Sequence, residues 1–140
     1  MKAILALVLI TAVLCSCGKN RTFPSKPQIT FNSVFPQEAH NGSTDSLMLS
    51  LGFKYGGATT LDSVFYSQDT RDGGYKGTQL PAYPSQDNQQ GNILVVLRPG
   101  LDFQFPFAVV DTSYFYVYVT YGSGLSTDTV KAGPVLLYGN

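Results

Sequence analysis

Apolar and polar residues alternate most regularly over residues 46–55, where Leu47, Leu49, Leu51 and Phe53 fall on one side and Met48, Ser50, Gly52 and Lys54 on the other. Successive side chains of a strand point to opposite faces, so this spacing predicts a half-buried antiparallel strand. Residues 114–121 repeat the pattern, with Phe115, Val117, Val119 and Tyr121 set against Tyr114, Tyr116, Tyr118 and Thr120. The Gly122-Ser123-Gly124 turn that follows predicts a hairpin with residues 126–130. Three further strands are expected: residues 28–34, with Ile29 and Phe31 on one side; residues 61–66, rich in β-branched and aromatic side chains; and the apolar run 93–97. Residues 67–91 are polar and broken by Asp72-Gly73-Gly74, Pro81 and Pro84, which leaves room only for a short edge strand at 74–80. Beyond the first twenty residues no ten-residue window carries apolar positions at helical spacing. The expectation is one all-β domain, an antiparallel sandwich of about seven strands.

The first twenty residues follow a different pattern. Met1-Lys2 gives a positive start, residues 3–14 are almost wholly apolar, and Gly18-Lys19-Asn20-Arg21 turns polar and basic. A membrane-crossing helix needs about 20 apolar residues, so this shorter run reads as a secretory signal that is removed. Leu14-Cys15-Ser16-Cys17 resembles the lipobox of bacterial lipoproteins, which implies cleavage after Ser16 and a thioether-linked diacylglycerol on Cys17. The expected organisation is a lipoprotein signal peptide at 1–16, a lipidated cysteine and tether at 17–26, and the β-sandwich domain at 27–140. Two or three acyl chains, at about 0.8 kcal/mol per buried methylene, would hold such a protein on a membrane. No cysteine follows Cys17, so the domain has no disulfide and must rely on its core, for which about 115 residues suffice.

Nine Lys and Arg balance nine Asp and Glu, and no basic stripe marks a nucleic-acid partner. The one basic cluster, Lys19, Arg21 and Lys26, stands beside the anchor, where lipid phosphates are the natural counter-charge. Residues 111–119 with the Gly-Ser-Gly turn, residues 125–130 and Pro134-Val135-Leu136-Leu137 resemble the final hairpin of immunoglobulin-like or fibronectin type III-like domains. Together with the lipobox, the chain resembles the small single-domain Ig-like lipoproteins of the Bacteroidetes type. That resemblance implies an Ig-like sandwich lipid-anchored at the outer membrane. Surface-exported members usually carry acidic residues after the lipidated cysteine, so the basic stretch here implies a periplasm-facing protein. It also implies O-glycosylation at Asp-Ser/Thr-aliphatic triplets, which would modify Ser46, Ser63 and Thr129. Read from the residues alone, an aspartate and a hydroxyl at a strand start serve equally to satisfy turn backbone groups.

Catalytic chemistry is poorly served. The chain has one histidine, His40, close to its one glutamate, Glu38, and no Gly-x-Ser-x-Gly elbow surrounds a serine. An enzyme is not expected, and a small hydrolase is the least supported reading. Asp69 and Asp72 sit in a glycine-containing loop that is either a plain turn or a weak calcium clip. No cofactor is called for. Tyr114, Tyr116 and Tyr118 project from one strand face, with Tyr75 and Tyr83 in the polar loop region. Such rings either stack on a sugar or a partner protein, or pack against cross-strand neighbours. The reading that results is a lipid-anchored, non-catalytic binding or structural module with a protein or glycan partner. Its alternative is a carbohydrate-binding lipoprotein that uses exposed tyrosines.

Overall fold

The structure is a computed structural model that describes residues 22–70, 73–82, 87–107, 109–122 and 124–139. Among them nine strands form and no helix: β1 (Gln28–Phe35), β2 (Glu38–His40), β3 (Leu47–Tyr55), β4 (Leu61–Gln68), β5 (Lys76–Gln79), β6 (Gln89–Leu97), β7 (Asp111–Tyr121), β8 (Leu125–Ser126) and β9 (Val130–Tyr138). They make a three-stranded sheet, β1-β3-β6, and a larger sheet ordered β2-β9-β7-β4-β5, with β8 added against β7. Only the β2–β9 pair is parallel.

The period-two segments explain the layers. Leu47, Leu49 and Leu51 from β3 and Phe115, Val117 and Val119 from β7 are fully buried, and they meet Ile93, Val95 and Leu97 of β6 and Val135 and Leu137 of β9 in one core. Burying a branched aliphatic side chain contributes about 1.5–3 kcal/mol, so this set drives the two sheets together. The domain is all-β and sandwich-like.

Three features depart from the simple alternation. A bulge between Phe31 and Ser33 shifts the register of β1, so Val34 turns to the core and Phe35 stands exposed. The hairpin expected at 126–130 shrinks to the two residues of β8. There Thr127 is buried, its backbone N–H donates to Val119 O at 2.9 Å, and its Oγ1 accepts from the Val119 N–H at 3.0 Å. That exchange ties off the short pairing, and β9 becomes the long partner of β7. Finally, β6 starts four residues before the apolar run, because Gln89 to Asn92 continue the unbroken register with β3.

The connection from β6 to β7 is pinned from within. Phe103 is buried and meets Phe115 edge-on at 6.2 Å and Phe105 at 5.4 Å. Asp102, only 7% exposed, accepts from the Tyr66 hydroxyl at 2.7 Å, from the Arg98 backbone N–H at 2.8 Å and from Arg98 Nε at 3.0 Å. Burial alone would raise the Asp102 pKa. The Arg98 N–H, the Tyr66 hydroxyl and the Arg98 guanidinium outweigh it and hold the carboxyl below its ordinary value. Burial, then the hydrogen bond to Asp102 and its negative charge, push Tyr66 up to about 12.

Candidate functional site

The outer face of the larger sheet carries the tyrosine row. Tyr114, Tyr116 and Tyr118 project from β7 opposite Phe115, Val117 and Val119, and all three are half-buried. Tyr118 stacks on Phe65 of β4 at 5.1 Å with the rings 10° apart, and Tyr75 meets it edge-on at 5.0 Å. Gly77 of β5 makes that stack possible, because a Cβ there would fall 2.7 Å from the Phe65 ring. The ammonium of Lys131 lies 3.6 Å over the ring of Tyr114. The fold thus brings Tyr75 and Tyr118 together and places neighbours over Tyr114 and Tyr118; Tyr83 lies outside the described residues.

The outer face of the three-stranded sheet is different. Gln28, Thr30, Lys54, Gln90 and Asn92 line an open groove of about 470 Å³ with Gly52 at its floor. Asn32 Nδ2 donates to Asn92 Oδ1 at 3.1 Å, from β1 across the central strand to β6. A Cβ on Gly52 would come 2.8 Å from Thr30 Oγ1 and 3.2 Å from Asn32 Oδ1, so glycine is what admits this clasp. Amide side chains both donate and accept, which suits a ligand dense in hydroxyls. Toward the other end of the same face, Phe35, Met48 and Val96 align in register across the three strands, and all are exposed, as is Leu94. The sequence pattern did not reveal this face. Its available signal was Gly52 interrupting an otherwise regular strand, with Gln28, Thr30 and Asn92 at neighbouring outward positions.

Asp69 and His40 have structural partners. Asp69 accepts from the Tyr114 N–H at 2.7 Å through Oδ1 and from Ser113 Oγ at 2.6 Å through Oδ2, so its carboxylate braces the start of β7. Asp72 lies outside the described residues, among which no group of three His, Cys, Asp or Glu side chains could hold a metal ion. His40 stacks on Tyr138 at 4.5 Å. Ser46 stands half-buried just before β3, Ser63 half-buried in β4, and Thr129 half-buried between β8 and β9. Cys17 lies outside the described residues. The chain matches no family model, no curated protein and no solved structure.

Proposed function

We propose that this chain is a lipid-anchored, non-catalytic module of the bacterial outer membrane, an Ig-like domain that faces the periplasm and binds or supports a partner there. The observation that carries the reading is Leu14-Cys15-Ser16-Cys17 after a short apolar run and before a single β domain. The strand order supports the Ig-like part. With the short β2 and β8 set aside, β3 and β6 stand against β4, β7 and β9 as the second and fifth strands of constant-type Ig domains stand against the third, sixth and seventh, while β5, the fourth, departs by pairing with β4. The non-catalytic part is supported by Asp69 and Asp102, whose carboxylate oxygens already accept hydrogen bonds that hold the fold. The Phe35, Met48 and Val96 row gives a partner an apolar surface to cover. Carbohydrate binding is the second reading, favoured by the amide-lined groove rather than by the partly covered tyrosines.

Fractionation of the envelope tests the proposal. The chain should float with outer-membrane vesicles, survive protease added to intact cells, and be digested once the outer membrane is permeabilised. Recovery in the soluble fraction, or digestion on intact cells, would contradict it.

A further inference from the structure

The residues between anchor and domain are gripped by the fold. The Gly56 N–H donates to Pro24 O at 2.8 Å, and Lys54 Nζ donates to Thr22 O at 3.0 Å while standing 4.9 Å over the Phe23 ring. Gly56 provides the notch: a Cβ there would lie 3.0 Å from Pro24 O and 3.1 Å from Phe23 Cβ. Lys26 pairs with Asp128 at 3.2 Å on the far side of the stem. The expected ten-residue tether is therefore fixed over residues 22–26. From Cys17 to Thr22 there remain five residue steps, which reach at most about 18 Å fully extended.

The grip also fixes which end of the domain is nearest the anchor. It is the end where β3 passes through Gly56 and Gly57 into β4, where the Gly122 N–H donates to Thr60 O at 3.1 Å, and where β8 exposes Leu125. We infer that this end lies against the bilayer surface, with Leu125 dipping into the interface and the domain standing upright. The inference rests on the lipid-anchor reading. Its own basis is the clamped stem and the short reach beyond it.

The described charges at this end largely cancel, so they neither draw it to an anionic surface nor bar it. Lys26 and Lys54 stand with Asp128 and Asp87, Asp87 being next to Asn88, whose N–H reaches Gly56 O. Lys19 and Arg21 in the sequence just before the stem add positive charge, each worth about 1 kcal/mol at an anionic leaflet. The opposite end, which carries exposed Leu101, Phe107, Val109 and Val110, is then held away from the membrane. β3 alone, with nine residues, separates the two ends by about 30 Å.

The test uses the full lipidated chain with Leu125→Cys or Phe107→Cys, each labelled with an environment-sensitive fluorophore. Both positions are exposed, so the labels leave the core intact. Vesicles of phosphatidylethanolamine and phosphatidylglycerol would carry a headgroup nitroxide lipid as quencher. Quenching at position 125 is expected to be at least threefold stronger than at 107, and a chain that also carries Phe23→Ala and Lys54→Ala should lose most of that difference. Equal quenching at the two positions in a chain that floats with the vesicles would overturn the inference and leave the anchor reading standing. So would a difference that survives loosening of the stem. A chain that fails to float would overturn both.

Discussion

Replacing Asp102 by alanine is expected to lower stability by about 2–4 kcal/mol, a fall in Tm on the order of 10 °C. Three donors converge on that carboxylate, and two of them, the Tyr66 hydroxyl and the Arg98 backbone N–H, are held by the fold and would lose their acceptor. Tyr66 is 3% exposed, so its hydroxyl has little access to replacement water. Tyr66→Phe should cost less, about 1–2 kcal/mol, because Asp102 keeps both bonds from Arg98. The pH dependence follows from the same contacts. The folded-state pKa of Asp102 lies below its unfolded value, so its contribution is present above the ordinary carboxylate range and lost as pH falls through the lowered folded pKa. For Tyr66, raised to about 12, the contribution is present below its ordinary pKa near 10 and lost as pH climbs through the folded value. Urea unfolding at neutral pH, in acid and in alkali measures both effects. An Asp102→Ala protein within 0.5 kcal/mol of the parent (about 0.5 being the usual scatter of surface changes) would show that the cluster contributes nothing net.

Cys17→Ala is expected to abolish acylation of the chain. The proposal makes the lipid on Cys17 the membrane attachment of the processed chain. Without a thiol to acylate, the variant should stay as an unprocessed precursor or be released soluble. Detergent phase partition checks it: the parent should enter the detergent phase and a processed variant the aqueous phase. A variant that remains as firmly anchored as the parent would mean that another part of the chain binds lipid.

The β strands were legible where one face meets the core and the other meets water. Residues 47–55 and 115–121 met that condition, and the burial of Leu47, Leu49, Leu51, Phe115, Val117 and Val119 follows the alternation residue by residue. β2 was not legible, because three residues are too few to show a period and it is held by parallel pairing to β9. The hairpin into β8 was legible from the glycine turn but its shortness was not, since burial of Thr127 and its exchange with Val119 depend on a neighbouring strand. The direction of the tyrosine row could be read from alternation alone. Its covering could not, because Phe65, Tyr75 and Lys131 reach it from other strands. For the same reason the amide groove was hidden: Gln28, Gly52 and Asn92 are far apart in sequence, and the bulge at Phe31/Ser33 interrupts the alternation of β1 at Asn32.

The most direct measurement is the intact mass and N-terminal fragmentation of the chain extracted from membranes of the cells that make it. The account predicts that residues 1–16 are gone, that Cys17 is the first residue, and that it carries a thioether-linked diacylglycerol, with or without a further acyl chain on its amine. A chain that retains Met1, or one cleaved elsewhere with an unmodified Cys17, would contradict it.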